Sequence, residues 1–263
     1  MILSQTYKKR VYSYLNLLRE IGWTEFKLRD QGTFFGFLWT LLYPALLFIV
    51  LYMVFVKWMG QFVANYGGYL LIGLLFWNFF QRATTSSLTC LTRRYAIIRN
   101  FKFPREIVVF STLSAILASF LLELCVLLVF LPFFGVAPRL SWLLLPVLVG
   151  AIVLLTAGVS LFLPLLAAEY RDLERVWEVL TTIMFYITPI FFPLSVIGPR
   201  IRPLLLLNPI TQILIAARGC LIDGRIPNPG PLAAVIIGAG LLFTAGLLLF
   251  RRFEYHIMDR LME

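Results

Sequence analysis

Long apolar stretches alternate with short polar, mostly basic ones along this chain. The first apolar stretch, Phe34 to Val56, holds 23 residues. As a helix it would reach roughly 34 Å, enough to cross the hydrocarbon layer of a bilayer. Pro44 lies inside it and is expected to kink it. The second, about 67–88, is apolar from Gly67 to Phe80, then turns polar through Gln81, Arg82 and a Thr/Ser cluster ending at Thr89. That end must face protein, water or headgroups, because hydrocarbon offers polar groups no partner. The third, Ile107 to Phe134, is long enough to tilt or protrude. A fourth at 140–168 contains Pro146 and Pro164, a shorter fifth covers 176–192, and a sixth at 232–250 stops abruptly at Arg251 and Arg252. The pattern predicts an all-α integral membrane fold with six transmembrane helices.

Two segments depart from this rhythm. Between the fifth and sixth stretches the chain is rich in Pro yet still apolar. Leu204–Leu207 and Ile210–Ala217 are too short to span. The 194–222 region is therefore expected to form short re-entrant or interfacial helices, divided at Asn208-Pro209. Ahead of the first stretch, Tyr7, Val11, Tyr14, Leu18 and Ile21 recur at helical spacing among Lys8, Lys9, Arg10, Arg19, Lys27 and Arg29. Residues 5–30 read as an amphipathic helix at the membrane interface, with packing on a soluble partner as the alternative. This polar, basic start is not a cleavable signal pattern.

Composition agrees, with 60% hydrophobic residues, 14% charged residues and a mean hydropathy of +0.89. A net charge of +10 would suggest nucleic acid in a soluble protein. Here 17 of the 23 Lys and Arg residues fall in the N-terminal segment, the 82–105 and 169–178 loops and the C-terminal tail, which lie on one side of the predicted spans. The positive-inside rule puts that side, and both termini, in the cytoplasm. No linker divides the chain, so residues 1–263 form one transmembrane domain.

Little in the sequence suggests catalysis. Cys90, Cys125 and Cys220 show no metal spacing or disulfide framework, and Cys125 reads as a small core residue. The sole histidine, His256, lies beyond the last span. Glu169, Asp172, Glu174 and Glu178 are interleaved with Arg171 and Arg175, which a salt-bridged helix explains. None of Lys8, Lys9, Lys27, Lys57 or Lys102 precedes Ser or Thr, so the chain has no recognisable P-loop. Glu123 stands deep in an apolar stretch, as either a structural partner across helices or a functional charge.

Aromatic residues, 16% of the chain, concentrate around the first and fifth spans. Trp39, Tyr43, Tyr52 and Phe55 belong to the first; Phe185, Tyr186, Phe191 and Phe192 to the fifth. Buried phenols need hydrogen-bond partners, which a water- or sugar-lined path would supply and helix packing would supply equally. The 93–100 segment (Arg93, Arg94, Tyr95, Ala96, Ile97, Ile98, Arg99, Asn100) is a short amphipathic helix between two spans. Exposed Ile and Arg there suit docking on a cytoplasmic partner, or packing against the interface helix.

The ordered pieces resemble the permease subunits of type-two ABC exporters, and most the branch that exports O-antigen, capsular and teichoic acid polymers. Lys27-Leu28-Arg29, Gly36, Trp39 and Pro44 resemble the family's entry into span one, and Tyr52 and Phe55 its end. The run Tyr69 to Trp77 is similar to span two. Ile97-Ile98-Arg99 with Phe103-Pro104-Arg105 resembles the coupling loop. Arg171-Asp172 and Thr188-Pro189-Ile190 resemble the surroundings of span five, and Asn208-Pro209 with Arg218 the outer re-entrant region. Thr188 stands where the family is expected to carry Ser, which keeps the hydroxyl, and Asp30-Gln31 replaces an expected Tyr after the Arg.

The resemblance implies a homodimer of six-span subunits in the bacterial inner membrane, with two separate ATPase subunits. ATP and Mg would bind those partners, with no cofactor on this chain. It implies a lipid-linked polysaccharide moving along a path lined by Trp39, Tyr43, Tyr52, Phe185 and Tyr186, with Arg29 at the cytoplasmic mouth. Docking of the ATPase would fall to Arg93, Arg94, Tyr95, Ile97, Ile98 and Arg99. Alternative readings are a type-two permease for drugs or lipids, a membrane-embedded transferase and a membrane scaffold.

Overall fold

A computed structural model describes Gly22 and residues 36–100, 103–170 and 172–262. Every regular element among the described residues is helical. The long helices are α1 (Gly36–Met59), α2 (Tyr66–Arg93), α4 (Glu106–Phe130), α5 (Leu145–Glu169), α6 (Leu173–Ile187) and α9 (Pro229–Met262). The short ones are α3 (Tyr95–Asn100), α7 (Arg202–Leu207) and α8 (Pro209–Arg218). The predicted interface helix at 5–30 lies outside the described residues except for Gly22.

Among the described residues, three stretches are long and apolar enough to cross a membrane: Glu106–Phe134, Leu140–Glu169 and Pro229–Phe253. Pro44–Met59 is a shorter apolar helix, within an α1 that runs unbroken through Pro44. The second predicted span falls short in composition, because α2 carries Gln81, Arg82 and its Thr/Ser cluster. The fifth falls short in length: the 15 residues of α6 reach roughly 22 Å.

The half-polar α2 is tolerated because protein surrounds it. It packs against α1, α4, α5, α6 and α8. Leu70, Ile72, Phe76, Trp77 and Phe79 are buried, and Phe76 and Phe79 meet Phe120 of α4 at ring distances of 5.5 and 4.6 Å. Its hydroxyls turn back on their own helix, Thr84 Oγ1 donating to Phe80 O and Ser87 Oγ to Ala83 O, both at 2.8 Å. The polar end thus faces protein, without leaving those donors unsatisfied.

The α5–α9 pair depends on close backbone approach. A Cβ at Gly158 would lie 3.0 Å from the Phe243 backbone nitrogen, and one at Gly246 3.2 Å from the Gly158 carbonyl. Small residues let helices meet at this distance where lipid gives no hydrophobic drive to association.

The two ends of the bundle are built differently. One gathers charge: Glu106 at the start of α4 pairs with Arg251 of α9 at 2.9 Å, and Arg94 donates to Ser111 Oγ at 2.6 Å. The opposite end is tied by backbone carbonyls. A π-helical turn at Gly219–Asp223 offers its carbonyls to Ser141 Oγ (Cys220 O, 2.6 Å), Trp142 Nε1 (Leu221 O, 3.1 Å) and Arg139 (Asp223 O). The third apolar stretch is not one straight helix. After Phe130 it tightens into a 3-10 turn over Leu131–Phe134 and reverses at Gly135, whose φ of 77° favours glycine.

One expectation is corrected. Cys125 is exposed, on the α4 face that also presents Leu121, Leu122, Val126 and Val129; an apolar stretch alone does not say which face meets the core. In the 169–178 charge cluster Arg171 lies outside the described residues; Glu174, Arg175 and Glu178 stand exposed on α6 and form no ion pair with one another.

Candidate functional site

A band made of two ring clusters joins α1, α2 and the end of α6, linked by the bond from the Tyr66 hydroxyl to Phe191 O. Phe48 and Tyr52, four residues apart on α1, stack at 5.4 Å. Tyr52 reaches Tyr66 at 6.2 Å, and Tyr66 reaches Tyr69 at 6.4 Å. Phe55 meets Phe191 at 5.1 Å, and Phe191 in turn contacts Phe185, Tyr186 and Phe192. Phe185 also reaches Trp77 of α2 at 5.9 Å. Helical spacing of four puts the α1 rings on one face, and Pro189 bends the chain so that Phe191 folds back towards α1.

Of the predicted path residues, Phe185 and Tyr186 pack edge to face at 5.4 Å in one cluster, and Tyr52 lies in the other. Tyr186 is 62% exposed and Tyr52 is half-buried, with no hydrogen bond engaging its hydroxyl among the described residues. The band is open on the side that this chain leaves uncovered. Trp39 and Tyr43 lie on α1, but their side chains are outside the described residues, as is Arg29. Stacked and edge-on rings of this kind offer apolar faces with polar rims, the surface on which sugar rings rest.

Sequence reasoning missed the scaffold behind the band. The Tyr66 hydroxyl donates to Phe191 O at 2.8 Å and the Tyr69 hydroxyl to Phe192 O at 3.0 Å. Arg218, 6% exposed, donates through Nη1 to Pro189 O and through Nη2 to Ile190 O, both at 2.7 Å, and through Nε to Tyr69 O at 3.2 Å. Its Cζ lies 3.4 Å from the centre of the Tyr69 ring. Asn208 caps α8 by accepting from Ile210 N at 2.9 Å and donates to Thr188 Oγ1 at 3.0 Å. The available signals were Asn208-Pro209, typical of a helix start, and an Arg closing the apolar α8.

Tyr95–Asn100 of the predicted docking segment forms α3, while Arg93 ends α2 and Arg94 lies in the turn between them, and the segment's residues lie on different sides. Arg93, Arg99 and Asn100 are exposed, Arg94 is held by Ser111, and Tyr95 is half-buried against the core. Ile98 is 4% exposed within the chain's own core, so it is not an exposed docking residue. The amphipathic pattern was legible, but its apolar face fits this chain. The side chain of Ile97 is outside the described residues.

Glu123 takes the structural role. Its carboxylate accepts from Arg82 Nη2 at 2.6 Å, and Arg82 Nε donates to Asn78 O at 3.3 Å. The pair links α2 to α4 inside the bundle, which is how a charge persists in an apolar stretch.

Residues 16–222 match the family of ABC-2 type transporters. The O-antigen export system permease protein RfbA of Myxococcus xanthus is 30% identical over 251 residues, covering 94% of this chain and 96% of that protein. Two Klebsiella pneumoniae proteins of the same name are 29% and 28% identical, each over 245 residues, 93% of this chain and 94% of theirs. On a family match that takes in the whole aromatic band and its scaffold, and on relatives aligned over nearly the full length, the chain belongs to the ABC-2 type transporter family.

Proposed function

We propose that the chain is the membrane-spanning permease subunit of an ATP-driven exporter that carries a lipid-linked, O-antigen-like polysaccharide out of the cytoplasm. The observation that carries this is alignment over 94% of the chain with an O-antigen export permease. The aromatic band supports the substrate class. Many weak ring contacts hold a polymer without any one of them becoming a trap, and the Arg218 guanidinium that meets the Tyr69 ring is buried with its donors on main-chain carbonyls. Two copies, each with six spans and the interface helix at 5–30, enclose the path at the bacterial inner membrane. The exposed apolar faces of α1 (Val50, Met53, Val54) and α6 (Val179, Ile183) suit lipid or the second copy.

Both termini and α3 lie on the cytoplasmic side, where the basic residues collect. Separate ATPase subunits bind ATP and Mg there and press on the exposed Arg93 and Arg99. Cells lacking the chain should accumulate lipid-linked polymer inside and lose it from the surface, and a plasmid copy should restore export. Unchanged surface polysaccharide would sink the proposal. Loss of drug resistance alone would assign the chain to a permease of small molecules.

A further inference from the structure

Four consecutive carbonyls after α6, those of Pro189, Ile190, Phe191 and Phe192, each accept a hydrogen bond from a side chain on another helix. Two come from Arg218 on α8, one from Tyr66 and one from Tyr69 on α2. Arg218 forms no ion pair among the described residues, and its fork is committed to main-chain oxygens. The α2 surface is cut away to admit this: a Cβ at Gly73 would lie 2.5 Å from Arg218 Nη2 and 2.9 Å from Ile190 O. Burying a guanidinium is costly unless its donors are used, so such an arrangement holds one geometry firmly.

Within this chain the rest of α6 is held far less. Thr181 is its buried residue, Trp177, Met184 and Phe185 pack on the core, and Trp177 Nε1 donates to Thr84 Oγ1 at 3.1 Å. Val176, Val179, Leu180, Ile183 and Ile187 are all exposed. A straight rod gripped at one end and lightly packed elsewhere turns about the grip.

We propose that Arg218, Tyr66 and Tyr69 are positioning residues that pin the Pro189 end of α6 as a fixed pivot, while the Leu173 end swings. The proposal rests on the exporter reading, in which force arrives at the end that carries α3. A tilt of about 10° over this helix length moves the free end by roughly 4 Å. Phe185 and Tyr186, within about 6 Å of the pivot, would move only about 1 Å, so the tilt widens or narrows the path at the Leu173 end and leaves the ring end in place.

The test uses the full chain with its ATPase in nanodiscs, one copy spin-labelled, in a Cys125→Ser background. Val176→Cys with Leu248→Cys reports the free end, and Ile187→Cys with Ile237→Cys the pinned end. ATP with vanadate should shift the first distance by roughly 4 Å and leave the second unchanged. Without nucleotide, Arg218→Leu should broaden the second distance, and Arg218→Lys should broaden it less. The Tyr66→Phe, Tyr69→Phe double variant, which keeps both rings, should broaden it too and stands in if Arg218→Leu does not fold. The pivot is overturned if the pinned-end distance moves as far as the free-end one, if neither moves, or if the latch variants leave the pinned end as narrow as the parent's. Distances that behave as expected in a complex that exports no polysaccharide would keep the pivot and remove the exporter reading.

Discussion

Gly73→Ala sets two physical effects of opposite sign against each other. In an exposed helix interior, Ala is better than Gly by about 1 kcal/mol, so propensity alone predicts a more stable protein. At this position a Cβ would lie 2.5 Å from Arg218 Nη2 and 2.9 Å from the backbone oxygen of Ile190. Neither atom is free to give way, since Arg218 is held by three carbonyls and Ile190 O belongs to the main chain. Overpacking of a tight site costs about 1–3 kcal/mol, and each buried carbonyl left without its donor costs a further ~1–3 kcal/mol. Taking off the propensity gain, we expect net destabilisation of about 1–5 kcal/mol. The assay is thermal unfolding of the purified protein in detergent, followed by tryptophan fluorescence. Gly150→Ala on α5 is the control, because a Cβ there meets nothing within 4 Å. It should be neutral or slightly stabilising. If Gly73→Ala melts at or above the parent, the close approach of Arg218 to α2 is wrong.

Other substitutions probe the remaining parts. Glu123→Ala should cost about 3 kcal/mol, the low end for a broken buried pair, because the Arg82 side chain is 29% exposed. Glu123→Gln should melt closer to the parent and export normally; lost export with normal melting would make Glu123 a functional charge. Tyr52→Ala and Tyr186→Ala should slow export roughly two- to tenfold at unchanged abundance, the scale of one ring contact. Tyr52→Phe should not, since the ring and not the hydroxyl is at work; equal loss in Tyr52→Phe contradicts the stacking surface. Arg93→Glu combined with Arg99→Glu should weaken ATPase co-purification without altering melting. Ile98→Asp should instead unfold the protein by burying a charge, and a normally melting Ile98→Asp that loses only the ATPase would return Ile98 to the docking surface.

The helical architecture was legible because hydrophobic runs of helical length have few other solutions in a membrane. Even the 93–100 helix and the break at Asn208-Pro209 could be read from spacing and turn chemistry. Facing was not legible. Cys125 sits in a run that is apolar all round and has no marked side, and it is exposed; Ile98 sits in an amphipathic segment, whose pattern does not say that its apolar side meets this chain's own core. The aromatic band was half legible. Tyr52, Phe185 and Tyr186 stood out by type, but the tyrosines that hold the carbonyls of Phe191 and Phe192 are more than 120 residues away in the chain. Arg218 was the least legible of all: an Arg beside an apolar helix reads as an interfacial anchor until three carbonyls are seen around it.

The most direct measurement is transport itself. The purified chain and its ATPase are placed in liposomes with a lipid-linked polysaccharide supplied from outside, on the ATPase side. Protection of the polymer from an added glycan-cleaving enzyme is then followed. The account predicts protection that grows with ATP, stops with vanadate and falls in Tyr52→Ala. ATP hydrolysis without any protected polymer would contradict it.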